Sequence, residues 1–193
     1  INSSDQIAGD RGIDTFKVFE LFDSDINPLP RIRDVETIYF DSLANADQNF
    51  SALAQATTGI NRIEIDNASL LNNKTITTTS GQSLSLATGG SSTAGTVTWA
   101  ASATDTHLDL ILDSYQGDTT VTAPSALTIT GAAATQLNIN STRATNQIGT
   151  FTGPATVKYH VITGDQPFIY TLAAADVAAL DSVNASANMG GVT

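Results

Sequence analysis

Apolar and polar residues alternate along most of this chain in short runs of four to seven residues. In order they read ETIYF, NRIEID, KTITTT, SLSLA, TVTWA, HLDLIL, TTVTA, ALTIT, QLNIN, VKYHVI and PFIYTL, and Gly, Asn, Asp, Ser or Pro bounds each one. A period of two sends successive side chains to opposite faces of a strand, and the bounding residues are turn formers. Thr and Val suit such strands because β-branched side chains pack well on a pleated surface. Helical spacing occurs in only two places, Asn45–Ala56 and Leu172–Leu180. Both are too short for an α/β architecture.

A longer period lies over this alternation. The stretches VETIYFDS from Val35, INRIEIDNAS from Ile60 and LDSVNAS from Leu180 share the form apolar-x-x-apolar-x-apolar followed by small polar residues. ATQLNINS from Ala134 is a looser fourth copy. Self-similarity of this kind marks stacked repeats, in which each unit buries its apolar face against the next. The expected fold is mainly β: an irregular, parallel, right-handed β-solenoid with short helical insertions. Coils of about 20–25 residues at about 4.8 Å per rung would give roughly seven coils and a rod near 35 Å long. Strand centres also fall about eight to twelve residues apart, which fits the alternative of an antiparallel β-sandwich.

Composition narrows the class. Hydrophobic residues make up 41% of the chain but aromatics only 6%, so Val, Ile, Leu and Ala must fill a thin core. The net charge of −11 repels phosphate backbones and anionic lipid, which argues against nucleic-acid or membrane-surface partners. With no cysteine there is no disulfide framework and no thiolate chemistry. No apolar run approaches the roughly 18 residues of a membrane span. The start at Ile1 and the end in NMGGVT are expected to be cuts within a longer protein.

Charge is concentrated at the front: residues 1–42 hold nine of nineteen acids and four of eight bases. Pro28 and Pro30 in NPLPRIRD interrupt any regular element there. The chain therefore divides into an acidic repeat and linker, residues 1–34, and a solenoid segment, 35–193, that is expected to continue further. The front segment contains DQIAGDRGIDTF, residues 5–16, which resembles the calcium-binding nonapeptide G-G-x-G-x-D-x-U-x. Gly9 and Gly12 permit the backbone turns that point carbonyl oxygens at an ion, and Asp14 supplies a hard anionic oxygen. Asp10 stands where the pattern has its second glycine, Asp5 adds an acidic residue upstream, and Phe16 opens a short inward-packing strand. A single copy makes half a site, because in that family the ion lies between loops of successive coils. The plain alternative is an acidic turn before a strand.

This repeat, the acidic linker and DVETIYFDS together resemble the bacterial surface-layer and large RTX-type adhesin proteins. The resemblance implies secretion to the bacterial cell surface, extracellular calcium and a structural or adhesive role. Partners would be further copies or other surface-layer subunits, or a cell-surface glycan. It supplies no catalytic residues, and no enzymatic activity is expected. A second acidic group, Asp23, Asp25 and Asn27, imitates the first positions of an EF-hand loop, with Asp34 at the twelfth. Pro28 replaces the glycine that loop needs, and Arg31 and Arg33 crowd it, so a surface acidic turn is expected rather than an EF-hand, with opportunistic calcium binding at Asp23 and Asp25 as the alternative.

His107 has Asp105 and Asp109 two residues to either side, on one face of a strand, like part of a metal site. A solvated polar face is the simpler account. His160, in VKYHVI, is expected to be a partly buried strand residue. No Ser/His/Asp arrangement can be assigned. A glycosidase or polysaccharide lyase on a β-solenoid is the enzymatic alternative, but one tryptophan (Trp99) and scattered tyrosines make poor sugar subsites. The run TITTT, Thr75–Thr79, resembles the arrays of ice-binding solenoids, which repeat T-x-T on every coil. That ladder is not expected to recur here, and β-propensity accounts for the run.

Overall fold

A computed structural model describes residues 6–19, 31–41, 47–49, 59–66, 73–87, 96–115, 126–131 and 133–193. The strands are β1 (Gln6–Ala8), β2 (Thr15–Val18), β3 (Arg31–Arg33), β4 (Thr37–Phe40), β5 (Gln48–Asn49), β6 (Arg62–Ile65), β7 (Lys74–Thr77) and β8 (Ser83–Ala87). They continue with β9 (Thr96–Ala100), β10 (His107–Asp113), β11 (Ala126–Thr130), β12 (Gln136–Thr142), β13 (Asn146–Thr152), β14 (Tyr159–Gly164) and β15 (Phe168–Leu172). A short helix, α1 (Ala174–Ala179), precedes the last strand, β16 (Ser182–Asn188).

From β2 onward the even-numbered strands form one eight-stranded sheet and the odd-numbered strands from β5 form a second, six-stranded sheet. A small third sheet pairs β1 with β3. Every pairing is parallel. The chain alternates between the two larger sheets and returns one rung further along each time, which makes a β-solenoid of about six turns. Parallel pairing throughout rules out the antiparallel sandwich. The coils are unequal in length: the step from Arg62 to its in-register partner Ser83 is shorter than the step from His107 to Gln136. Several coils are longer than the sequence pattern predicts, so the turns are fewer.

The repeat read from the sequence is the internal ladder. Ile38, Ile63, Leu84, Leu110, Ile139 and Ile162 form one buried file through the eight-stranded sheet, with Phe16 packed at its start. A parallel file runs Phe40, Ile65, Leu86 and Leu112 and then turns polar, to Ser141 and Gly164. The change coincides with a tight corner. Only residues 143–145 separate β12 from β13, and the buried Asn146 side chain holds that bend. Its Nδ2 donates to Ser141 Oγ (2.8 Å) and to the carbonyls of Ala144 (2.9 Å) and Thr142 (3.2 Å). Its Oδ1 accepts from the Tyr115 amide at 2.6 Å. Gly164 fits the same corner because a Cβ there would overlap the Ser141 carbonyl, and its φ of +110° disfavours other residues.

Inside the six-stranded sheet, Ile76, Trp99 and Ile129 form a buried file. Trp99 can be wholly buried because its indole N–H donates to Thr78 Oγ1 at 2.8 Å.

One expectation needs correction. Within the expected helix Asn45–Ala56, Gln48–Asn49 is strand β5, paired with Ile76 and Thr77. Pairing with the neighbouring coil overrides a weak local helical pattern there. Most of that segment, like TTVTA at 119–123, lies outside the described residues. The other helical expectation, Leu172–Leu180, contains α1. The T-x-T run does not build a two-column ladder: Thr75, Thr98, Thr128 and Thr152 stand in register on four successive strands of the six-stranded sheet, but Thr77 and Thr130 both face Ala100 and Thr96 faces Ala126. Because the coils between them differ in length, no fixed period in the sequence reveals that single file.

Candidate functional site

The glycine–aspartate motif forms the turn between β1 and β2. Gly9 lies so close to the next coil that a Cβ would overlap the Asp34 carbonyl and sit 2.7 Å from Asp14 Oδ2. Its amide donates to the Arg33 carbonyl at 2.8 Å. Asp14 is bound to the same coil by its backbone. Its N–H donates to Glu36 Oε2 at 2.7 Å, and its carbonyl accepts from the amides of Glu36 (3.2 Å) and Thr37 (3.1 Å). Asp14 Oδ2 is buried without a hydrogen-bond partner among the described residues. Asp34, at φ +55°, turns the chain beside it.

Gly9 and Asp14 are therefore brought together against the following coil. Gly12 and Asp10 are not part of that cluster. Gly12, at φ +140°, is exposed and has nothing near it, and exposed Asp10 accepts from the Arg11 amide at 2.9 Å. Asp5, Asp23 and Asp25 lie outside the described residues. Among the described residues no group of three or more His, Asp or Glu side chains could hold a metal ion. The orphaned Asp14 oxygen and the Asp34 carbonyl fit the beginning of a calcium shell, but calcium takes six to eight oxygens.

A second acidic cluster crosses β4 and β6. The Tyr39 hydroxyl donates to Asp66 Oδ2 at 2.6 Å and lies 3.4 Å from Asp41 Oδ1. Partial burial and the two carboxylates push the phenol pKa up, so it remains a donor. The Lys17 ammonium stands 5.0 Å from the ring centroid.

The three residues at His107 separate in the structure. Asp105 turns to the preceding coil, where it accepts from Ser80 Oγ and the Gly81 amide. His107 and Asp109 are exposed on the outer face of the eight-stranded sheet. Asp109 Oδ1 accepts from Asn138 Nδ2 at 2.7 Å, and Asn138 Oδ1 accepts from Gln136 Nε2 at 2.7 Å. An open groove of about 350 Å³ borders this row, lined by Ser83, Asp109, Ile111, Asn138, Asn140 and Thr163 among others. Sequence reasoning missed Gln136, Asn138 and Tyr159 as surface partners of His107 and Asp109. Their common signal is the outward alternate position in HLDLIL, QLNIN and KYHVI, visible only once the three strands are aligned.

His160 lies deeper than expected: it is 2% exposed, in register between Leu137 and Val183. Its ring meets the edge of Phe151, centroids 5.4 Å apart, and the Tyr170 hydroxyl is 3.4 Å from its Nδ1. Burial lowers its pKa to about 4. It is a neutral core residue, closed off from the surface where a general base would work.

These features define the chain's class: an all-parallel β-solenoid with a mainly aliphatic core that also takes in Phe40, Trp99, Tyr115, Phe151 and Phe168. Set against known proteins, no family model matches the chain, no curated protein matches it, and no solved structure matches it. Among the described residues no helix is long and apolar enough to cross a membrane.

Proposed function

We propose that this chain is a structural segment of a secreted bacterial cell-surface protein, a rod that self-associates in a calcium-dependent surface layer. The observation that carries this reading is the uninterrupted buried file from Ile38 to Ile162. A stack of this kind fixes length and stiffness through nearest-neighbour contacts and leaves the outer faces to meet partners. The net charge of −11 holds like rods apart until divalent cations neutralise it. Among the described residues Asp14, with an oxygen that has no hydrogen-bond partner there, is the side chain best placed to hold such an ion.

Sedimentation velocity of the chain with calcium, with magnesium and with EGTA tests this. Calcium should drive assembly, chelation should reverse it, and Asp14→Asn should raise the calcium required. Sedimentation indifferent to calcium and EGTA rejects the reading. A second reading, an adhesin rod that binds a glycan as a monomer, is favoured by the hydrogen-bonded polar row at Asp109. It predicts retention on immobilised ligand without assembly.

A further inference from the structure

We propose that the outer face of β10, β12 and β14 is a binding site for a neutral polysaccharide, centred on Asp109, Gln136, Asn138 and Tyr159. This inference rests on the adhesin reading and gives it a location. Two rows of side chains cross the three strands there. One runs His107–Gln136–Tyr159 and the other Asp109–Asn138–Val161. Rows and strands make a mesh of about 6.6 Å by 4.8 Å, so neighbouring side chains can reach one sugar ring together.

The polar groups are oriented before any ligand arrives. A carboxylate can only accept, so Asp109 obliges Asn138 to present its NH₂. That turns the Asn138 carbonyl oxygen toward Gln136, which must answer with its own NH₂. The chain of two 2.7 Å bonds therefore has a fixed polarity. Each amide NH₂ retains a second N–H, and Gln136 Oε1 and Asp109 Oδ2 remain as acceptors, all on the solvent side of the sheet. Planar donors and acceptors side by side match vicinal hydroxyls, each of which both gives and takes a hydrogen bond. Because their rotamers are already fixed, ordering them on binding costs little.

Tyr159 supplies what a purely polar patch lacks. It is 45% exposed and in register beside Gln136, so its ring offers an apolar platform for the C–H face of a sugar while its hydroxyl stays wet. Charge selects among sugars. Asp109 is the one formal negative charge in the two rows, and the chain as a whole carries −11. Acceptor-rich groups in that field suit hydroxyl donors and repel uronates and sulfated chains.

The test is retention of the whole chain on immobilised gluco-, manno-, galacto- and N-acetylglucosamine oligosaccharides, beside oligogalacturonate. At least one neutral series should retain it. Asn138→Ala and Tyr159→Ala should each weaken binding about tenfold, with unchanged circular dichroism and melting temperature. Thr128→Ala on the opposite sheet should leave retention unchanged. If either variant melts early, Gln136→Ala and Asp109→Asn on the same rows replace it, with the same expected loss. Retention untouched by these substitutions, or seen only on oligogalacturonate, overturns the site but leaves an adhesin elsewhere on the rod. Retention on none of the sugars overturns the site and the glycan-adhesin reading together, while calcium-driven assembly is judged separately by sedimentation.

Discussion

His160 should make the stability of this solenoid fall as the medium becomes mildly acidic. The ring is enclosed by Phe151 and Tyr170, with Leu137 and Val183 beside it on neighbouring strands, and none of these carries a charge. An unfolded histidine takes up its proton near pH 6.5, whereas burial delays protonation of His160 to about pH 4. The histidine's contribution is therefore intact above pH 6.5, is lost as pH falls through the window to 4, and changes no further below that. The whole step is about 3 kcal/mol, of which about 2 kcal/mol is gone by pH 5. For a chain of this length that loss corresponds to about 4–8 °C in melting temperature. The assay is urea or thermal unfolding at pH 7.5 and pH 5 for the wild type and for His160→Leu, which continues the file set by Leu137. All carboxylates titrate in both proteins, so the difference between them isolates the histidine. Coils of a solenoid can open locally, and hydrogen exchange at the Leu137 and Ile162 amides gives a site-specific version of the same measurement. An equal pH response in both proteins, within about 0.5 kcal/mol, refutes the assignment of the burial cost to His160.

Other substitutions test the corner and the core. Gly164→Ala should cost about 4 kcal/mol or more, since it adds a Cβ onto the Ser141 backbone at a φ of +110°, and urea denaturation measures it. Asn146→Ala should cost about 3–5 kcal/mol by removing the four hydrogen bonds with which its buried side chain holds the corner, with exchange at the Tyr115 amide as the local readout. Trp99→Phe should cost about 1–3 kcal/mol, through the lost bond to buried Thr78 and the smaller ring, and Thr78→Val in the same background should recover part of it.

Much of the fold was legible because the core is simple. In VETIYF and INRIEI the positions that alternate are the positions that stack, so Ile38 over Ile63 and Phe40 over Ile65 could be read from the pattern. Strand β13 could not. Ile148 and Phe151 both face inward despite their odd spacing, because a bulge between Ile148 and Thr150 adds a residue and breaks the period of two. β5 was hidden for a different reason: Gln48 and Asn49 become a strand only because β7 lies beside them. Of the candidate ion site, Gly9 and Asp14 were legible as a motif, but their partner coil at Asp34–Glu36 was not. The row Asp109–Asn138 was illegible for the same reason, since only the register between two whole coils joins it.

The threonine file sharpens what such a pattern does and does not mean. Thr75, Thr98, Thr128 and Thr152 stack in register, yet no hydrogen bond joins their hydroxyls among the described residues. Rungs about 4.8 Å apart are too far for hydroxyls to meet directly. What the four positions share is therefore the branched carbon on a pleated, half-buried face, which is the property β-propensity measures. Valine keeps that branching and lacks only the hydroxyl. Thr98→Val and Thr128→Val, singly and together, should then leave unfolding free energy within about 0.5 kcal/mol of the parent. If each substitution instead cost more than about 1 kcal/mol, and the pair more than the two separately, the hydroxyls would be acting as a connected unit through bound water. Urea titrations of the two single variants and the double variant distinguish these outcomes, because branching predicts small additive changes and a water-bridged file predicts coupled losses.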